Sequence, residues 1–257
     1  MPCLIPYLYM YRVSIGQVIK DKDMQHKINT VRRTFISLIG AGALLLGTSQ
    51  LAAAGADQNQ LVERAKFTVN DIVSKPDMGQ LRRLLAISKG VVVFPQVLKA
   101  GFFIGGAGGS GVLLSRNEAN EWSSPAFYTM GQGSIGLQFG AQAKELILVI
   151  MTEKGLKAII NNQVKLGGDL SAAVGPVGTT LGASTTTNLS ADIFSFANSK
   201  GLFIGASVEG SVLSQKSAWN ELYYGKPAST QDIVLLRSVS NPQSDGLKAA
   251  LKAAEAP

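Results

Sequence analysis

The chain has 257 residues, enough for one large domain or two small ones, and its formal net charge at pH 7 is +7. More than half of that charge belongs to residues 1–56. Residues 57–257 contain 18 basic and 15 acidic residues. The single cysteine, Cys3, and the single histidine, His26, also lie in residues 1–56. Residues 57–257 therefore exclude disulfides, Cys/His zinc sites, Ser-His-Asp triads and Cys-His nucleophiles. Their net charge of +3 gives no reason to expect nucleic acid as a partner.

Residues 24–56 have the three-part order of an export signal peptide. A basic run from Met24 precedes an apolar stretch, residues 34–46, that is too short to span a bilayer, and small residues around Ala54 and Ala56 fit the A-x-A cleavage pattern. We therefore expect translation to start at Met24, cleavage near Ala54 or Ala56, and a mature protein in the periplasm or outside the cell. A retained membrane anchor is the alternative.

The export route has two candidates. Arg32 and Arg33 directly before Thr34 approach the twin-arginine pattern, and they also fit the basic region of an ordinary Sec signal peptide. No cysteine follows the apolar stretch, which excludes the lipoprotein route.

Two amphipathic helices are predicted at the start of the mature chain. Apolar residues recur at helical spacing over residues 58–74, and Asp77 with Gln80 resembles the capping box of a second helix, Met78–Ser88. Basic residues accompany both helices: Arg64, Lys66, Lys75, Arg82, Arg83 and Lys89.

A glycine-rich β-hairpin follows. Residues 91–94 form a short β-branched and aromatic run, and Pro95 is expected to end that strand or to lie at a sheet edge. A second strand begins at Gly101, and five of the seven residues 105–111 are glycine, which indicates tight turns, bulges or close backbone approach.

A sequence similar to this hairpin occurs one hundred residues later. It is either an internal duplication or a chance similarity of two apolar β segments. The matching positions are Gly101, Phe103, Ile104, Gly105, Val112 and Leu113 with Gly201, Phe203, Ile204, Gly205, Val212 and Leu213.

Gly106, Gly108 and Gly111 also fit the G-x-G-x-x-G spacing of dinucleotide-binding loops. That fingerprint requires a helix after the glycines, and here another apolar β run follows. We interpret these glycines as structural and expect no cofactor.

The rest of the mature chain is predicted to be mostly β, with short helices over residues 152–161 and 229–237. Residues 57–240 are interpreted as one α+β domain, in which the N-terminal helices precede a mostly antiparallel, barrel- or sandwich-like sheet. The Ala/Lys-rich residues 241–257 are predicted to be a flexible tail. The acidic residues are scattered without a recognised catalytic spacing, so no catalytic site and no metal site are predicted.

Six segments occur in the order seen in SYLF-domain proteins, and the chain resembles this family over about residues 58–235. The segments are SKGVVVFPQVLKAGFFIGGAGGSGVLL, WSSPAFY, GSIGLQFGAQ, LGGDLSAAVGPVG, SKGLFIGASVEGSVL and NELYYG.

The resemblance implies a lipid-binding module whose eukaryotic members bind phosphoinositides, partly through a basic amphipathic N-terminal helix. It makes the six basic residues named above the candidate head-group contacts. Where the family pattern GPVGR has an arginine, this chain has Thr179, so we expect no head-group contact at that turn. Some yeast members bind actin, which an exported protein would not meet.

The sequence thus predicts a non-enzymatic protein of the bacterial periplasm or cell envelope that attaches peripherally to anionic phospholipid membranes. The alternative is a structural module that self-associates or binds an envelope protein without contacting lipid.

Overall fold

The computed structural model describes residues 56–75, 78–101, 104–135, 140–175, 191–199, 202–205 and 207–255. The predicted signal peptide, Asp77 and Gly201 lie outside these ranges. The helices are α1 Ala56–Val73, α2 Gly79–Ile87, α3 Glu153–Asn161, α4 Ser217–Tyr224, α5 Thr230–Val234 and α6 Asp245–Ala254. Within the described ranges, no helix combines the length and apolar character that a membrane span requires.

Nine described strands form one sheet in the order β5-β9-β3-β2-β1-β4-β7-β6, with β8 paired to β7. Only β6 and β7 are parallel among these pairs. The predicted α+β class, with N-terminal helices before a mostly antiparallel sheet, is confirmed. The strands are β1 Gly90–Gly101, β2 Ile104–Ser115, β3 Ala126–Ile135, β4 Gly140–Ile150, β5 Val164–Lys165, β6 Ala172–Val174, β7 Ile193–Ser199, β8 Leu202–Gly205 and β9 Val212–Gln215.

The middle of the sheet is buried on both faces. Along β1, Val91 and Val93 pack in one apolar cluster with α1, α2 and α6, while Val92 and Phe94 pack in a second cluster with α3 and α5. Successive side chains of a strand point to opposite faces, so a continuous apolar run is what a strand between two helical layers requires.

Pro95 does not end its strand, and that prediction is wrong. β1 continues through Pro95 in the centre of the sheet, and its register shifts there against both β2 and β4. A β-bulge at this point accommodates a residue that has no N–H to donate to the ladder.

The glycines of β2 permit the close approach that the sequence predicted. A Cβ at Gly111 would lie 2.5 Å from the Phe94 ring, and one at Gly109 would lie 2.2 Å from the Gln96 carbonyl oxygen. Gly106, Gly108 and Gly111 all lie within β2, which is followed by β3 rather than by a helix. The helix that the dinucleotide fingerprint requires therefore does not follow these glycines.

The two similar glycine-rich segments differ in structure. In the first, β2 runs unbroken and pairs with β1 and β3. In the second, β8 and β9 are separate strands: β8 pairs with β7, and β9 pairs with β3 and β5.

The predicted flexible tail is largely helix α6, which is a correction. Its apolar side chains at i, i+4 spacing, Leu247 and Leu251, are fully buried and pack with Val62 and Val69 of α1. The carboxylate of Glu255 accepts a hydrogen bond of 2.7 Å from Trp122 Nε1. The C-terminal segment is thus part of the core.

Asp192 joins β7 to two other segments on one side of the sheet. Thr152, the N-cap of α3, donates to Asp192 Oδ1 at 2.7 Å, and the Ser171 hydroxyl donates to Oδ2 at 2.8 Å. Burial acts to raise the pKa of Asp192, but these hydrogen bonds and Lys154 outweigh burial, so the net pKa lies below the ordinary value. The ionised carboxylate therefore stabilises the fold above the unfolded-state pKa, and that stabilisation is lost as pH falls through the folded-state pKa.

We expect Asp192→Asn to lower the free energy of unfolding by about 1–3 kcal/mol at pH 7, because it removes a buried acceptor from its donors. The difference from the wild type should shrink below about pH 4, as the wild-type carboxyl becomes protonated. Urea unfolding across this pH range measures both effects. Glu221→Gln, on the exposed face of α4, should change stability by less than about 0.5 kcal/mol. A pH-independent difference would contradict this assignment.

We expect Leu251→Ala to lower the free energy of unfolding by about 2–5 kcal/mol, since it leaves a cavity between α6 and α1. Thermal or urea unfolding at pH 7 measures it. Ala249→Ser, on the exposed side of the same helix, is the matched control and should cost about 0.5 kcal/mol. If Leu251→Ala cost no more than this control, α6 would not be part of the folded core.

Candidate functional site

The basic residues predicted on α1 are exposed or already paired. Arg64 is exposed, and its nearest acceptor is Gln60 Oε1 at 3.5 Å. Lys66 forms an ion pair with Glu63, and Lys75 lies 2.7 Å from Asp71. The apolar face of α1 is buried against the sheet and α6, and Phe67, on the other side of the helix, is a large apolar side chain that stays exposed.

The basic residues of α2 and β1 divide into two groups. Arg82 donates to the Lys75 carbonyl at 2.7 Å and so helps to join α1 to α2. Arg83 is exposed and lies one turn before Ile87, whose side chain is 65% exposed. Lys89 follows α2 directly, with its backbone N–H bonded to Ile150 at the end of β4. The structure therefore brings Arg83 and Lys89, with Ile87, to one end of the sheet.

A cleft of about 730 Å³ opens at this end of the sheet. We call it the end cleft; the lining residues that matter below are Ile87, Lys89, Ser115, Arg116, Leu235 and Arg237. The cleft lies where α2 leads into β1, where β2 ends, and where α5 ends. Leu156 and Val234 also line it, and both are buried.

Arg116 is the buried cation of the end cleft. Its side chain is only 10% exposed and lies 3.1 Å from Glu255 Oε2, and its Nη1 donates to the Ala86 carbonyl. Its Nε is buried and has no acceptor within the described part of the chain. The Glu255 carboxylate thus connects α6 to both Arg116 and Trp122 beside the cleft.

The segment after α5 carries an exposed leucine pair and a third cation. Leu235 and Leu236 are 41% and 66% exposed, and both backbone N–H groups bond to the Gln231 carbonyl. Arg237 follows with φ of 53°, in the left-handed region, and its Nη2 donates to the Glu121 carbonyl at 2.9 Å. These contacts hold Leu235, which lines the cleft, and its exposed neighbour Leu236 in a defined turn.

Carboxylates also lie around the end cleft. Glu153 lines it and pairs with Lys89 at 3.3 Å, with both side chains about half exposed. Glu118 lines it too and is exposed. Three cations, Lys89, Arg116 and Arg237, and two exposed carboxylates therefore line the cleft. One of the cations, Arg116, is also paired with the buried carboxylate of Glu255.

Sequence reasoning found Lys89 and Arg83 but missed Arg116, Leu235, Leu236 and Arg237. Two adjacent leucines followed by an arginine, just after a short capped helix, are the signal that could have indicated an exposed turn. Nothing in the sequence places Arg116 beside Arg237, because β2 and α5 meet only in the fold.

A second depression, of about 760 Å³, lies beside α1 and includes Arg64 and an exposed Phe67. Asp71 and Glu145 also line it. Lys144 lines it as well; burial lowers its pKa, and so does Lys99. Two cations and two carboxylates line this depression, whereas three cations and two carboxylates line the end cleft, so the depression is the poorer site for an anion.

The end cleft can bind an anionic group beside an apolar surface. Its three cations, two of them arginines bonded to backbone carbonyls, provide N–H donors, and Ile87 and Leu235 provide apolar contact. The described residues contain no group of three or more His, Cys, Asp or Glu placed to hold a metal ion.

Residues 131–254 match a family model described as Ysc84, the Las17-binding protein actin regulator. The chain is 31% identical over 170 residues to SH3 domain-containing YSC84-like protein 1 of Bos taurus, which is 66% of this chain and 50% of that protein. It is 31% identical over 167 residues to Protein YSC84 of Saccharomyces cerevisiae, 64% of this chain and 36% of that protein. LAS seventeen-binding protein 3 of the same yeast is also 31% identical, over 69% of this chain and 38% of the relative. The chain thus spans about half the length, or less, of the curated relatives it matches.

Proposed function

Because the chain belongs to the SYLF-domain (Ysc84) family, we propose that it binds the surface of anionic phospholipid membranes through the end of the sheet that carries the end cleft. The family's relatives are named for binding and regulation, and we propose a binding role without catalysis for this chain.

One observation carries this proposal: exposed apolar and basic side chains lie together on structured elements. Ile87, Leu235 and Leu236 are among the few large apolar side chains that the described residues expose, and Ile87 and Leu235 line the same cleft as Lys89. An anionic membrane attracts each lysine or arginine near its surface by about 1 kcal/mol, and apolar side chains then gain by leaving water. A peripheral protein needs both contributions in one place.

The membrane-facing residues therefore differ from the six that the sequence suggested. Arg83 and Lys89 remain in the proposed surface. Lys66 pairs with Glu63 within α1, Lys75 pairs with Asp71 near the end of α1, and Arg82 contacts the α1–α2 connection. Arg64 is exposed on α1 and tests whether that helix contributes to membrane binding.

We expect the purified protein to float with vesicles that contain anionic phospholipid and to be released by high salt. The double variant Arg83→Glu/Lys89→Glu should weaken attachment about tenfold or more, because it reverses two charges at the membrane face. Liposome flotation at low and high salt is the measurement. Leu235→Ser/Leu236→Ser should weaken attachment while leaving its salt dependence in place.

Arg64→Glu/Lys165→Glu is the matched control, since it changes the net charge by the same amount at exposed positions outside the end cleft. It should leave flotation nearly unchanged. If this control lost flotation as fully as the Arg83/Lys89 pair, general attraction or α1 would be responsible, and the proposed surface would be wrong. If the wild type floated with neither neutral nor anionic vesicles, membrane binding itself would be wrong.

We also propose that the protein acts outside the cytoplasm of a bacterial cell, in the periplasm or as a secreted protein, after removal of residues up to Ala54 or Ala56. Mass spectrometry of the protein isolated from an expressing bacterium should then give an N-terminus at Gly55 or Asp57. Arg32→Lys/Arg33→Lys distinguishes the routes, because twin-arginine export should fail and Sec export should continue. An intact N-terminus in the cytoplasmic fraction would contradict export.

A protein-binding role is the second candidate, favoured by relatives whose names describe binding to Las17 and the presence of an SH3 domain. In that case the end cleft would contact a protein or a second copy of this chain. Concentration-dependent oligomers in light scattering, together with absence of flotation, would favour this role.

A further inference from the structure

We propose that the end cleft holds one phospholipid head group, with its phosphate between Lys89, Arg116 and Arg237. This inference rests on the proposed function and adds a defined one-to-one site to the membrane-facing surface. The cleft volume of about 730 Å³ is in the usual range for a site that encloses a small ligand.

Arg116 gives the first reason. Its side chain is nine-tenths buried, yet Nε has no acceptor among the described residues, while Nη1 and Nη2 bond to Ala86 and Glu255. A buried N–H without an acceptor is costly, and an anion that accepts from it recovers that cost. An anion in the cleft would therefore complete the donor set of Arg116.

Backbone conformation gives a second, independent reason. Within the described ranges, the non-glycine residues with positive φ are Asn120 and Arg237, at 61° and 53°, and both line the end cleft. Asparagine adopts this conformation readily, but arginine does so at a cost. Such conformations concentrate at binding sites, where they direct a side chain. The described hydrogen bonds of the Arg237 guanidinium use only Nη2, which leaves other N–H donors for a ligand.

Lys89 is the third cation, and its present partner is the exposed Glu153 carboxylate at 3.3 Å. Such an exposed ion pair contributes little to stability, so a phosphate can replace Glu153 at modest cost. Glu153 therefore acts as a competitor for the proposed ligand. Its removal should strengthen binding, which a purely structural role of the ion pair would not do.

The apolar rim decides in favour of a lipid phosphate over a free one. Leu235 and Ile87 line the cleft and are 41% and 65% exposed, so the glycerol and acyl part of a lipid would cover apolar surface that inorganic phosphate leaves in water. Leu156 and Val234 line the cleft from the buried core side.

The test is calorimetric titration of the protein with dihexanoyl phosphatidic acid below its micelle concentration, with inorganic phosphate, and with dihexanoyl phosphatidylcholine. We expect one phosphatidic acid per chain, bound at least tenfold more tightly than inorganic phosphate, and phosphatidylcholine bound more weakly because its choline group offsets the phosphate charge. Equal affinity for inorganic phosphate and phosphatidic acid would overturn the lipid assignment.

Variants locate the site. Arg237→Gly keeps the turn, because glycine tolerates positive φ, and should weaken phosphatidic acid binding about tenfold. Lys89→Gln should weaken it by a similar factor, Glu153→Gln should strengthen it, and the control Lys165→Gln should not change it. Thermal unfolding checks that each variant is folded. Unchanged affinity in both Arg237→Gly and Lys89→Gln would overturn the placement in the end cleft.

The outcome separates this inference from the proposed function. Flotation with anionic vesicles, without one-to-one binding of dihexanoyl phosphatidic acid, would overturn the head-group site and leave surface binding standing. Absence of flotation together with one-to-one binding would overturn the membrane surface and leave a soluble-lipid site.

Discussion

The fold depends on burying both faces of three neighbouring strands, β2, β1 and β4. Their apolar residues alternate between two clusters, so neither helical layer can be removed without exposing half of the core. Apolar burial is the main stabilising contribution in a domain of this size, and here it requires α1, α2 and α6 on one face and α3 and α5 on the other. The apolar faces of α1 and α2, the two helices whose amphipathic sequences suggest membrane contact, are therefore buried in the core.

This constraint moves the binding surface from the helix faces to the end of the sheet. α1 keeps its apolar side on the sheet and α6, and two of its charged residues, Lys66 and Asp71, form ion pairs with Glu63 and Lys75. At the ends of α2 and α5, in contrast, the chain turns beyond the ends of the strands. Ile87, Leu235 and Leu236 lie there with exposed side chains. Turns at the ends of packed elements are also where residues can be exposed without loss of core contact.

Sequence reasoning predicted the features set by local periodicity. The α1 and α3 helices, the central strands and the structural glycines of β2 follow from spacing alone, because helices and strands bury different repeats of the chain. The Pro95 bulge and the burial of α6 were missed, since both depend on partner segments far away in sequence. Leu247 and Leu251 had the spacing of a packed helix, but the Ala/Lys-rich composition around them suggested a tail. Of the candidate site, Lys89 and Arg83 were predicted, and the arginines that complete it were not.

The end cleft is built from segments that lie far apart in the chain. Lys89 and Arg116 come from the segment between α2 and the end of β2, Glu153 comes from the start of α3, and Leu235 and Arg237 come from the turn after α5. The site is therefore complete only where the segment from α2 to β2 meets the α5 turn. Arg116 is bonded to the end of α6 through Glu255, so the buried C-terminal helix holds the deepest cation of the cleft in place. The Arg116–Glu255 contact thus joins α6 to the rest of the fold and also positions a cation of the proposed binding site.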